Sequence, residues 1–501
     1  MIKLIYRIES DYMSKKRMLI VTSVTLSVVT ISLGIVKLYQ TYALSNYIGT
    51  VTDTGIDVYI NDDSYASIPA NGSSNVYYML TNTNPGTVKY GVAYQTTSGV
   101  TVKVYDTSED PATGTIEEND KKYIKLHLEN KNSTNKTIEL STVLGYENGG
   151  DLVVPSGVTL VTDTYTPPPT AAEYITKLYT TASKTTVTNN SITYNTAPSV
   201  SLMNDRLGGT TTDLDGGNIR YYGASPNNYI YFNCSDYSNQ TSSTCETWRI
   251  IGVFDGKLKL IRGSQIGKYS WDNKNTSTGA EDNYGKNDWT TARLMKLLNP
   301  RDYYKVDSND NNLGQSLYYN SASGKCYSGQ NNAIVDCDFT STGIKNDETR
   351  NMIAETTYYL GGWNSYSVYP NEIYEYERGT TVYTGRPPTW PGKIALAYPS
   401  DYGYAADLNQ CKDKTLYYYD NSTCTSNNWM KAILGTSSYG WLLTPYSGHS
   451  YYAWHVRSGG NVYSYLAYGA YGAVPVLSLS SELGIESGGD GSSSNPYKLS
   501  A

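Results

Sequence analysis

Apolar and polar positions alternate in short runs through "SNVYYMLTN" (74–82), "TVKYGVAYQ" (87–95), "VTVKVYD" (100–106), "KYIKLHLEN" (122–130), "KTIELSTVLGY" (136–146) and "DLVVPSGVTLV" (151–161). Turn clusters such as "NTNPG" and "ENGGD" separate them. Regular short β-branched runs between Gly/Asn turns predict an all-β sandwich, Ig-like in strand spacing, over residues 46–163. His127 falls within one of these strands, where no catalytic role is expected of it. Three prolines (167–169) then stiffen the chain, and Ala171, Ile175, Leu178 and Ala182 recur at helical spacing. Residues 164–199 are thus expected as a Pro/Thr linker with one short helix.

The pattern changes from residue 200. "TWRIIGVFDGKLKLIRG" (247–263) is two strands about an Asp255-Gly256 turn, a strong hairpin signal. "NDWTTARLMKLLNP" (287–300) predicts a helix capped by Asn287 or Asp288, and "KNDETRNMIAETTYYLGG" (345–362) a second with the same Asn-Asp start. "GKIALAYPSDYGYA" (392–405) predicts a buried strand and a turn. The expected fold class is multi-domain: an all-β sandwich followed by an α+β head over residues 200–501.

At the N-terminus, Met18 to Val36 is 19 residues without a charge, just long enough to cross about 30 Å of hydrocarbon. Lys3, Arg7, Lys15, Lys16 and Arg17 precede it. The expectation is a transmembrane helix at 18–40, with a basic cytoplasmic tail at 1–17 and the bulk of the chain extracellular. A cleaved signal peptide is the rival, although "YQTYALSN" is a poor A-x-A-like site, and both readings export the chain.

Six cysteines, at 234, 245, 326, 337, 411 and 424, fall into three local pairs, and an even number in an exported chain predicts disulfides. Six cysteines allow 15 pairings, of which neighbour pairing across three Ser/Asn-rich loops is the simplest. Zinc is disfavoured because there is no C-x-x-C and no histidine near a cysteine. "DSNDNN" (307–312) starts like a calcium loop but lacks its glycine and final acid; a polar loop is expected, with structural calcium as the only cofactor considered. The net charge of −7 excludes a general nucleic-acid partner. Most unusual are 52 Tyr against 3 Phe: aromatic area comes almost wholly from rings that can sit half exposed and still hydrogen-bond.

The order of "WRIIGVFDGKLKLI", two helices, "IALAYPSDYG", "WLLTPYS" and "PVLSL" resembles the formylglycine-generating-enzyme-like branch of the C-type-lectin-like fold, in its exported form from gut Firmicutes. The resemblance covers about residues 218–501 and implies a lectin-like head. That family includes copper-dependent oxidases with a reactive cysteine pair, but here all six cysteines read as staples, so catalysis is not expected. The segment 446–477 also resembles the variable segment of diversity-generating-retroelement proteins, with Gly472-Ala473-Val474-Pro475-Val476 where those often carry Gly-Val-Arg-Pro-Val. That resemblance implies variable positions at Tyr446, His449, Tyr451, Tyr452, His455, Arg457, Tyr463, Tyr465, Tyr468 and Tyr471. It implies framework at Trp441, Ala453, Trp454, Val456, Val462, Pro475 and Leu477. The candidate contact set is those ten positions together with Trp454. No carboxylate in the segment orients His449 or His455, so contact suits them better than base catalysis or metal binding. The expectation is a cell-surface receptor or adhesin whose unidentified partner is a protein or glycan. An exported oxidase and a purely structural surface component are the other classes.

Overall fold

The computed structural model describes residues 65–82, 86–145, 152, 154–205, 217–273, 284–305, 313–329 and 333–500, with four backbone strands between Ile5 and Tyr59. The described chain is mostly β-sheet with few helices. It divides into two compact units, Met1–Pro168 and Pro169–Ala501.

The N-terminal expectation is corrected. Met18–Val21, the start of the proposed anchor, is a strand paired antiparallel with Ile5–Ile8. Its β-branched and aliphatic residues suit a ladder as well as a membrane helix. Among the described residues no helix is long and apolar enough to cross a membrane. The single-pass placement and the cytoplasmic tail are withdrawn with it; the remainder of the segment, 22–40, lies outside the described residues, as does the polar loop 307–312.

In the first unit, Lys121–Asn130 pairs antiparallel with Gly72–Asn82 on one side and Val100–Tyr105 on the other. A second sheet is built on Val88–Gln95 and Lys136–Gly145. Val76, Tyr78, Leu80, Ile124, Leu126 and Leu128 from the first sheet share one core with Tyr90, Val92, Ile138 and Leu140 from the second. Alternation along each strand sends these side chains inward and leaves Lys103, Lys125 and Glu129 partly exposed. His127 is buried in its strand, stacked on Tyr165 at 3.6 Å and 2.7 Å from Asn75 Oδ1.

The second unit opens with the helix Ala171–Thr181, closed at its start by a capping box between Thr170 and Glu173. Residues 185–197, expected as linker, form the hairpin Thr185–Asn189 and Ile192–Ala197 instead, the edge of a nine-stranded sheet. At the centre of that sheet lies the expected hairpin, Glu246–Phe254 with Lys257–Arg262; Asp255 and Gly256 both take positive φ, as its two-residue turn demands. Gly252, at a bulge in the first strand, has no room for a side chain: a Cβ would lie 2.0 Å from the Ile219 carbonyl oxygen.

Two expected helices are shorter than their patterns. Asp288 accepts from the Thr290 N–H and caps a single 3₁₀ turn, after which a helix runs only over Arg293–Leu298. Asn346 caps Asp347–Met352, and the chain then extends as the strand Thr356–Tyr359 against Thr389–Gly392. The run "TTYY" favours a pleated strand over a third helical turn. The disulfides join Cys234–Cys245, Cys326–Cys337 and Cys411–Cys424, the expected neighbour pairing, leaving no free cysteine. They fit an extracellular protein.

This unit also buries charge. Arg220 holds Asp205 at 2.5 Å and Asp401 at 2.9 Å, and Lys259 reaches the other Asp401 oxygen at 2.5 Å, all nearly inaccessible to solvent. Burial alone pushes the Asp401 carboxyl up, but Lys259 and Arg220 outweigh it and hold it below the ordinary range. Next to Asp401, Ser400 donates from its N–H and its hydroxyl to the fully buried Glu377, 2.9 and 2.5 Å away. Burial pushes the Glu377 carboxyl up to about 7.

Candidate ligand-contact surface

The Tyr-rich segment lies in a five-stranded sheet ordered Gly267–Ser270, Ala470–Ala473, Gly440–Pro445, Tyr452–Val456, Val462–Leu466. Tyr452–Val456 and Val462–Leu466 form an antiparallel pair, with Ala453 opposite Tyr465 and His455 opposite Tyr463. Trp441, Ala453, Trp454, Val456, Val462 and Leu477 are fully buried, and Pro475 is buried with them. The strands therefore hang on a buried inner side, and the large side chains left partly open to solvent are mostly tyrosines.

The loop 446–452 is gripped by its backbone. The Asn287 side-chain nitrogen lies 3.0, 2.7 and 3.1 Å from the carbonyl oxygens of Tyr446, His449 and Tyr452. Its main-chain N–H donates to the Ser450 carbonyl at 2.8 Å, and Arg386 donates to both Asn287 Oδ1 and the Ser450 carbonyl. Asn287 is buried; a residue read from sequence as a helix cap is the fastener of this loop. The Tyr446 hydroxyl donates to the Asn364 carbonyl at 2.6 Å, tying the loop to a second one at 363–367.

Of the candidate contact residues, His449 and Tyr465 are exposed, while Tyr446, Tyr451, Tyr452, Arg457, Tyr463, Tyr468 and Tyr471 are half-buried. Two are corrected. Trp454 is wholly inside, on the face of its strand shared with Val456, where the sheet packs on the core. His455, one residue on, points the other way but is covered by Tyr471, Tyr439 and Trp441 at 4.9, 5.6 and 5.9 Å. Burial, aided by Arg457, lowers its pKa to about 3, so it stays neutral at any physiological pH. It supports the rings and is not available to a partner.

The remaining rings join through side chains from distant parts of the chain. Tyr366 stacks on Tyr446 at 5.4 Å and on Tyr463 at 4.4 Å, and its hydroxyl is 2.5 Å from that of Ser464. Tyr284 lies 5.1 Å from Tyr451 and 5.8 Å from Tyr468. Tyr417 and Tyr418, from another loop, continue the series beyond Tyr366 and Tyr463. One run of neighbours therefore passes Tyr284, Tyr451, His449, Tyr446, Tyr366, Tyr417 and Tyr418 in steps of 5.0 to 6.4 Å. Arg457 sits over the Tyr463 ring at 4.0 Å. Sequence reasoning missed Tyr284, Tyr366, Tyr417, Tyr418 and Asn287; the one local signal was the triplet "YYY" (417–419) inside a cysteine-bounded loop. Chemically, this surface offers rigid aromatic area with hydroxyls, the Arg457 guanidinium beside Tyr463, and the exposed Asp420 carboxylate next to the 417–419 rings. No protein-family model matches the chain, and no curated protein matches its sequence.

Proposed function

We propose that this is an extracellular, non-catalytic ligand-binding protein of the receptor or adhesin class, and that the ring surface around Tyr446–Tyr471 is its contact site. The observation that carries this reading is the division of one short segment. The positions expected as framework are buried, whereas the positions expected to vary reach solvent, His455 excepted. An aromatic core would hide its rings; here tyrosine after tyrosine is left partly open on a buried scaffold, the composition and rigidity that binding loops favour. The same division supports a C-type-lectin-like head of the formylglycine-generating-enzyme-like kind with a diversified C-terminal segment. The absence of any free cysteine favours binding over the thiol-dependent oxidase chemistry of that family's enzymes. The test is an array of host and bacterial surface molecules probed with the full chain. Replacing Tyr451, Tyr452, Tyr463 and Tyr465 together by Ala is expected to abolish the signal, and unchanged binding in that variant overturns the site.

A further inference from the structure

The loop closed by Cys411–Cys424 carries "LYYY" at 416–419. Leu416–Tyr418 form one 3₁₀ turn, whose three-residue period places Leu416 and Tyr419 on the same side. Both are buried, which turns Tyr417 and Tyr418 outward at 38% and 54% exposure. The turn is fixed from below: Leu416 donates its N–H to the Val368 carbonyl at 2.9 Å, and Tyr417 to the Tyr366 carbonyl at 3.2 Å. Both cysteines are inaccessible to solvent, so the loop is anchored at its base as well. Two large rings are thus held at the surface with little freedom left to lose on binding.

Resting on the ring-surface reading, we infer that this disulfide loop is the second half of the contact surface, and that the partner is a folded protein. A sugar ring stacks on an open aromatic face, and at the centre of the cluster that face is taken: Tyr463 is stacked on Tyr366 at 4.4 Å and 28°. Arg457 covers Tyr463 from within the same cluster. What remains for a partner is ring edges and hydroxyls, which suit the mixed apolar and polar surface of a protein. Size agrees. Tyr417, Tyr418 and Tyr465 are 38%, 54% and 39% exposed and most of the other rings less, so about ten rings together offer several hundred Å², a large part of the ~800 Å² that one side of a standard protein interface contributes. A mono- or disaccharide covers two or three rings. The rings themselves match the Tyr-rich centre of protein interfaces, and the charges Lys412, Asp413, Lys414 and Asp420 flanking Tyr417 and Tyr418 match their polar rim.

The experiment uses the full chain as wild type, as Tyr417→Ala/Tyr418→Ala and as Tyr451→Ala/Tyr452→Ala, each first shown to keep the wild-type melting temperature. All three are titrated against purified host and bacterial surface proteins printed beside a glycan array. Wild type is expected to bind a protein, and the loop pair to weaken it on the order of tenfold or more. If the loop pair binds like wild type while Tyr451→Ala/Tyr452→Ala does not, the inference is overturned and the ring-surface reading stands. If neither variant changes binding, or no spot on either array is bound, that reading itself falls. Binding confined to glycans overturns the partner class.

Discussion

The two units solve the same problem of covering a β-sheet with opposite materials. In the first, aliphatic side chains together with Tyr78, Tyr90 and Tyr94 fill the core and charge stays outside, as in the Lys103–Glu129 pair, whose side chains are 30% and 31% exposed. In the second, Asp205, Asp401, Arg220, Lys259 and Glu377 lie inside and tyrosines cover the outer sheet. A charged exterior repels casual association and needs no partner. A tyrosine exterior leaves desolvable area open, and so marks the unit on which to look for a ligand. The charges displaced inward carry the cost: unpaired, any one of them is strongly destabilising.

This contrast can be broken at its strongest point. Asp401→Ala leaves Arg220 and Lys259 facing each other without their shared carboxylate, and is expected to cost about 3–5 kcal/mol in denaturant unfolding of the second unit. A loss below 1 kcal/mol would remove the claim that the inner charges are a single coupled structure. A smaller effect comes from pH. The Glu377 carboxyl is raised from 4.5 to about 7, so the folded chain holds a proton that the unfolded chain releases. Its contribution is fully present below about pH 4.5 and is lost as pH rises toward about 7, by at most ~1.4 kcal/mol per pH unit. Glu377→Gln should flatten that slope in unfolding curves recorded across the window. Smallest are the outer groups. Lys103→Ala in the first unit and Tyr465→Ala in the second should each change stability by no more than ~1 kcal/mol, and only the second should alter binding.

Much of this was legible one segment at a time. The strands of the first unit, the Asp255-Gly256 hairpin and the cysteine pairing are local signals, and the chain follows them. Local signals misled where a start was read without its stop. Asn346 does cap a helix, but the extended run from Thr356 ends it early. His455 is placed among the contact residues by the resemblance to a variable segment, between the framework positions Trp454 and Val456. Alternation turned it toward Trp441 and Tyr471, and no composition rule detects that cover. Tyr366, Tyr417 and Tyr284 reach the surface from segments far away in the chain, by tertiary packing that no window of residues contains.

The Asn287 clasp has a consequence for how this surface can change. Asn287 and Arg386 hold the loop through the carbonyls of Tyr446, His449, Ser450 and Tyr452, groups that every amino acid possesses. Apart from Tyr446, whose hydroxyl ties the loop to the Asn364 carbonyl, the path of the loop is thereby held independently of the side chains it displays. Tyr451 or His449 can be exchanged for another residue while the clasp keeps the same atoms to grip. For the contact surface proposed above, this clasp would let different side chains be displayed on an unchanged fold.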